Sequence, residues 1–353
     1  MGIDGIDDII ISKTAFDGRV IDNEDKTYKK AYLKAQNKNH AASIYVDETA
    51  VYVVWFAGSS MGYEDVSIYL STLNPLEETF SMPRIISKIK GYSCQNPIIF
   101  SWKEKLIVYH TAQPGRKQSL SYSQEDALLF RVESVDKGVT WSNPILCFCE
   151  KGYFIRSKPC MFQDKLILPS YTTTWNTEEH KSCLFMLDES LDVSSLCVEF
   201  MEDGLVQPCL IKTDNGYQVY FRDRKSESIY VASSKDNLSW TTPKRTVLPN
   251  NNSGIALEYL SKGCMVIILN PTNDARYPLS LFLSKDMGKT WKFCMNLHED
   301  LETNYKKYIF TYGPEMSYPA TFLHAGKLHV VFSYSRGGIC YICIDTESLT
   351  DEK

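Results

Sequence analysis

The sequence has no excess of basic residues: 38 lysines and arginines stand against 43 aspartates and glutamates, a net charge of −5. Nucleic-acid-binding surfaces concentrate positive charge, so no nucleic-acid partner is expected. No apolar run approaches the ~20 residues of a spanning helix, and no membrane insertion is expected. The first stretch, MGIDGIDDIIISKTAF, is acidic and lacks the basic-then-apolar layout of a secretory leader. The eleven cysteines are odd in number and follow no framework spacing, which suits a reducing compartment. A cytoplasmic location is the expectation. A phosphate loop, a dinucleotide fingerprint and an H-x-x-x-H pair are all missing, so no cofactor is expected. The single C-x-x-C, CYIC at 340–343, sits in a strand-like run where Cys340 and Cys343 point to opposite faces. No metal is expected there. CFC at 147–149 puts both thiols on one face of a strand, which reads as core packing.

What is present is β-forming material: 22 tyrosines, 16 phenylalanines and 44% hydrophobic residues in 353. It is arranged as a repeat. SVDKGVTW (134–141) and SKDMGKTW (284–291) share Ser-x-Asp-x-Gly-x-Thr-Trp, SKDNLSW (234–240) is a degenerate copy, and STLNPLEETF and MLDESLDVSS are weaker echoes. Between these phrases, paired apolar runs joined by a polar turn begin at 40, 96, 158, 207, 254 and 318. Each pair reads as a hairpin. The intervals of 56, 62, 49, 47 and 64 residues each fit four short strands, the size of a propeller blade. The expected architecture is all-β: one six-bladed propeller of four-stranded antiparallel blades over residues 1–353. Residues 1–39 are expected to close the last blade, which removes open edges. Residues 299–315, within the acidic stretch HEDLETNYKK and beyond, read as an inter-blade insertion. In the repeated phrase Asp136 and Asp286 can accept turn N–H groups, and Gly138 and Gly288 can take positive φ. Trp141 and Trp291 can pack back on the blade. The phrase is a turn staple rather than a catalytic motif.

In a propeller the innermost strands converge on the axis, so residues some 50 positions apart meet. The positions heading those strands hold His40, Asn96, Lys158, Gln207, Asn252 or Ser253, and Tyr318. The following strands add Asp65, Arg222, Arg276 and Arg336. Three arginines and a lysine at matching places of separate blades suggest a carboxylate site, because guanidinium binds carboxylate bidentately. Alternatively each arginine covers a blade surface or pairs locally, as Arg222 could with Asp223. His40 could act as an acid or base near neutral pH, or be a hydrogen-bonded core residue.

These phrases, together with blades that open on Asn-Pro, Lys-Pro, Gln-Pro and Tyr-Pro and the stretch LPNNNSG (248–254), resemble the sialidase-like Asp-box (BNR-repeat) propellers from about His40 to Ile342. The resemblance implies a glycosidase that holds a sugar carboxylate with three arginines, with an aspartate acid/base and a glutamate-activated tyrosine nucleophile. Arg222 and Arg276 match the second and third arginines, Tyr318 the nucleophile and Asp65 the acid/base. Two positions depart: His40 replaces the first arginine, and Gln207 replaces the activating glutamate. Glu315 or His40 is the candidate to assist Tyr318 instead.

The leading expectation is thus a sialidase-like glycoside hydrolase acting on a terminal acidic sugar of a glycan. Asp65, Tyr318, Glu315 and His40 are its catalytic candidates; Arg222, Arg276, Arg336, Lys158, Asn96 and Gln207 are its substrate contacts. One alternative is a uronate-directed lyase in which the arginines acidify a C–H that Tyr318 or His40 removes. Another is a propeller that binds acidic glycans without turnover, which Gln207 favours.

Overall fold

A computed structural model describes residues 14–116, 124–173, 180–298 and 315–350, and in it the strands assemble into six sheets. Blade one is Lys38–Val46, Val51–Gly58, Ser67–Leu73 and Arg84–Ser87, each strand antiparallel to the next. Blade two is Tyr92–Trp102, Lys105–Pro114, Leu128–Ser134 and Ile145–Phe148. Blade four runs from Leu205–Thr213 to Lys244–Pro249 and blade five from Ala256–Ser261 to Lys292–Asn296, in the same order. Blade three departs. Its inner strand is broken into Tyr153–Ile155 and Cys160–Phe162, both paired with Lys165–Thr172. Blade six takes three strands from the end of the chain, Met316–His324, Lys327–Tyr334 and Gly338–Asp345. Lys29–Leu33 pairs beside Gly338–Asp345 as its fourth strand. The core lies between blades: one cluster joins Val266, Leu281 and Leu283 of blade five to Val330, Phe332 and Ile342 of blade six.

The repeated turn phrase works as a staple. Asp136 accepts the Thr140 N–H at 2.9 Å and the Ser134 hydroxyl at 2.8 Å, and Asp286 repeats both bonds at 2.8 Å. Hydrogen bonds, led by that of the Thr140 hydroxyl on Asp136 and the Thr290 hydroxyl on Asp286, hold both carboxyls down at about 2. Asn74, Asp188, Asp236 and Asp345 accept turn N–H groups at the equivalent place in the other blades. The tryptophans pack back on their own blade, as expected, and also reach the preceding one. Trp141 Nε1 donates to the Gly138 carbonyl at 3.1 Å, and Trp291 joins a cluster with Met265 and Ile267 as well as Tyr220. Trp291 meets Tyr220 edge-on at 6.3 Å, and Trp240 meets Phe200 at 5.7 Å. Arg84 of blade one likewise donates to the carbonyls of Gly138 and Val139. The phrase therefore locks neighbouring blades together. Gly288, at φ +81, is required because a Cβ there would stand 2.2 Å from the Tyr220 hydroxyl.

The cysteine run 147–149 is corrected. A register shift between Leu146 and Phe148, where the strand ends, buries Cys147 and leaves Cys149 exposed. The eleven cysteines are all free thiols. Among the described residues no group of three or more His, Cys, Asp or Glu is placed to hold a metal. No described helix is long and apolar enough to cross a membrane. Of the insertion at 299–315, only Glu315 lies within the described residues.

Candidate functional site

Four of the innermost strands carry the same defect at the same place. Pairing slips between His40 and Ser43, Gln95 and Ile98, Val206 and Cys209, and Ser317 and Ala320. Within each bulge one non-glycine residue takes the left-handed conformation: Ala41 (φ 51), Asn96 (φ 50), Gln207 (φ 52) and Tyr318 (φ 55). Proline follows the last three, as expected where no ladder N–H is needed. A bulge re-aims its side chain, and left-handed backbone at such residues is strain characteristic of functional sites. The register also moves one expectation. Ala41, not His40, occupies the slot of Asn96, Gln207 and Tyr318; His40 matches Gln95, Val206 and Ser317.

These bulges line a cavity of about 240 Å³ at one mouth of the ring. Its walls include His40, Asn96, Gln207, Arg222, Arg276, Tyr318 and Arg336, so seven of the expected residues are brought together. Arg222 lies opposite Val206 in blade four, Arg276 follows the second strand of blade five, and Arg336 turns between the second and third strands of blade six. Asn252 fixes the first: its Oδ1 accepts from Arg222 Nε at 2.9 Å and Nη2 at 2.6 Å. Its carbonyl accepts from Arg276 at 3.2 Å. The LPNNNSG stretch thus holds two arginines. Asp223 does not pair with Arg222; its carboxylate caps the N–H groups of Lys225, Glu227 and Ser228.

Tyr318 is the centre of the arrangement. Arg222 Nη1 donates to its hydroxyl at 2.9 Å, and the guanidinium carbons of Arg276, Arg222 and Arg156 stand 5.5, 5.6 and 5.7 Å from its ring centre. Burial would raise the phenol, but Arg222 and Arg276 outweigh it and bring it down to about 8. The His40 ring lies 4.5 Å from the Tyr318 ring, centre to centre. Burial, reinforced by Arg336 and Arg276 against the opposing pull of Glu315, holds His40 at about 3, so it is a neutral imidazole at physiological pH, with a buried Nδ1 that has no partner among the described residues. Glu315 bridges Arg276, at 2.5 Å, and Arg336, and accepts the Ser317 hydroxyl at 2.8 Å. Against burial, which would raise it, the two arginines hold its carboxyl well below the usual range. A carboxylate so committed positions two arginines; it is a poor acceptor for a phenol proton.

Three expected residues do not line this cavity: Glu315, which stands behind Arg276 and Arg336, and Lys158 and Asp65, which lie apart from it. The Lys158 ammonium pairs with Glu258 at 2.8 Å and lies over Phe322, in a separate cavity nearer the axis. Asp65 lies in the turn after the second strand of blade one and accepts the Ser59 N–H at 2.8 Å, four residues beyond Met61, which does line the cavity. Sequence reasoning missed Arg224, which donates to Thr173 at 3.3 Å, and Tyr171, which accepts from Gln207 at 3.2 Å. It also missed Arg156, whose Nη2 donates to the carbonyls of Tyr318 at 2.5 Å and Pro319 at 2.9 Å. For Arg224 the signal is RDR at 222–224: alternate strand positions share a face.

Fold and site define a six-bladed propeller with a cationic, tyrosine-centred pocket at one mouth. The chain belongs to the BNR repeat-like domain family, which matches residues 49–330. Among solved structures it is similar to the Hadza microbial sialidase Hz136, with a TM-score of 0.75 at 12% identity over 90% of this chain and 69% of that one. It is also similar to the Trypanosoma rangeli sialidase in complex with the inhibitor DANA (0.68, 10% identity), covering 90% of this chain and 56% of the other. The intramolecular trans-sialidase from Ruminococcus gnavus in complex with oseltamivir carboxylate matches at 0.65 and 10% identity over 90% of this chain and 96% of that one. At such identities the likeness is one of fold. No curated protein matches the sequence.

Proposed function

We propose that the chain is a sialidase-like glycosidase that takes the terminal acidic sugar of a glycan into this cavity. The observation that carries the reading is the Tyr318 phenol at 2.9 Å from Arg222 and brought to about 8, among guanidinium groups that suit a sugar carboxylate. Arg222, Arg276 and Arg336 hold that carboxylate, with Glu315 keeping the last two in place. Asn96 and Gln207 offer amides to the sugar hydroxyls. Tyr318 attacks the anomeric carbon as its phenol proton passes to solvent, an ionisation that Arg222 and Arg276 favour, while the neutral His40 ring packs against it. The glycosidic bond breaks as its oxygen takes a proton from Asp65, carried on the turn that also supplies Met61. Water then releases the sugar from Tyr318. An uncharged phenol approaches a carboxylate-bearing carbon without the repulsion a carboxylate nucleophile would meet.

A second reading is favoured by one observation: none of the described residues lining the cavity is a carboxylate. In this reading the arginines neutralise a uronate carboxylate, and the Tyr318 phenolate, rather than the weakly basic His40, removes the acidified proton. The glycosidic oxygen then leaves by elimination, with no water added. Calorimetric binding of acidic monosaccharides against their methyl esters to the Tyr318→Phe chain tests the shared premise. The reading expects the free acid to bind at least tenfold more tightly than its ester. Equal affinities would remove the carboxylate site and both chemistries with it.

A further inference from the structure

Below Tyr318 a second, smaller cavity of about 30 Å³ lies where the inner strands approach one another. Arg156, Ser43, Lys158 and Thr321 line it together with apolar side chains such as Leu210 and Leu257. Arg156 comes from the break in the inner strand of blade three and is 4% exposed. Its Nη2 is spent on the Tyr318 and Pro319 carbonyls, while Nε and Nη1 are buried with no partner among the described residues. No carboxylate among the described residues lines the cavity, and Glu258 is engaged by Lys158 at 2.8 Å. A guanidinium buried without a counter-charge costs several kcal/mol, so buried charges are ordinarily paired. The space suits one or two water-sized particles and is too small for sulfate or a sugar.

We infer that this cavity is an axial binding site for one small monovalent anion of halide type, held by Nε and Nη1 of Arg156 and the hydroxyl of Ser43. The Ser43 oxygen accepts the Ile99 N–H at 3.2 Å, which leaves its own proton to donate. The anion completes the shell of the guanidinium that fixes the Tyr318 and Pro319 carbonyls, and so stiffens the left-handed backbone at Tyr318. The site stands or falls independently of which reaction the upper cavity performs.

Crystals of the full chain soaked in sodium bromide test it directly. An anomalous peak on the axis against Arg156 is expected; water density alone at that place overturns the inference. In solution, thermal unfolding at fixed ionic strength, with gluconate replaced stepwise by chloride or bromide, should show a saturable rise of the midpoint. That rise should be absent in Arg156→Lys, which keeps the charge and loses the fork. An equal rise in that variant, or no rise in the native chain, contradicts the site. If the variant fails to fold, the bromide peak in the native chain decides.

Discussion

Replacing Arg222 by Gln leaves Tyr318 buried without the guanidinium that stands 2.9 Å from its oxygen. An ordinary phenol titrates near 10, so about one in a thousand is ionised at pH 7. At about 8, Tyr318 is phenolate in about a tenth of molecules at that pH. Burial raises this phenol and Arg222 leads the groups that lower it, so its loss should move the value up toward that of an ordinary phenol, with Arg276 still opposing the rise. The phenolate population at pH 7 should then fall, by about 100-fold if the ordinary value is reached. Ultraviolet difference titration reads this directly, provided the signal of the Tyr318→Phe chain is subtracted to remove the other 21 of the 22 tyrosines. Arg222→Lys should fall between, since a point charge keeps the attraction and loses the fork. If Tyr318→Phe removes no early-titrating phenol, or Arg222→Gln leaves that phenol where it was, the electrostatic account of Tyr318 is wrong.

Other consequences are as specific. If the phenolate is the reacting form, turnover should rise with pH up to about 8, with no inflection near the ordinary histidine value because His40 is held at about 3; an inflection near 6.5 would contradict the neutral imidazole. Glu315→Gln should cost about 3–5 kcal/mol at pH 7, because it leaves Arg276 and Arg336 without their counter-charge. The Glu315 carboxyl is lowered on folding, so its contribution is full above the unfolded value near 4.3 and fades as pH falls toward the folded one; denaturant unfolding from pH 7 into the acid range should show the two chains converging. Gly288→Ala should cost more than Gly326→Ala by thermal unfolding. Both glycines have positive φ, worth about 1 kcal/mol or more, but only Gly288 meets a neighbour, Tyr220.

The repeat was legible because hairpins and turn phrases recur along the chain, and turn chemistry depends on a few residues: Asp136, Gly138 and Thr140 read the same in sequence and in space. The arginines of blades four to six were legible for the same reason. What escaped was set by departures from regularity. A bulge breaks the period of two, so His40 was assigned to the slot that Ala41 fills. The signal was present in Asn96-Pro97, Gln207-Pro208 and Tyr318-Pro319, where proline marks the missing ladder bond. His40 lacks that proline. Blade three breaks its inner strand at Arg156–Pro159, which turns Lys158 toward Glu258 and buries Arg156 in its stead. Long-range partners such as Glu315 for Arg336 depend on how blades meet, which no local pattern encodes.

The most direct test of the central claim is mass spectrometry of sialylated and uronate-containing glycans incubated with the native chain and with Tyr318→Phe. The account predicts acidic fragments whose masses sum to substrate plus water, made by the native chain alone. Masses that sum to substrate without water would move the chemistry to elimination at the same tyrosine. An untouched panel, or cleavage that survives Tyr318→Phe, would contradict the claim.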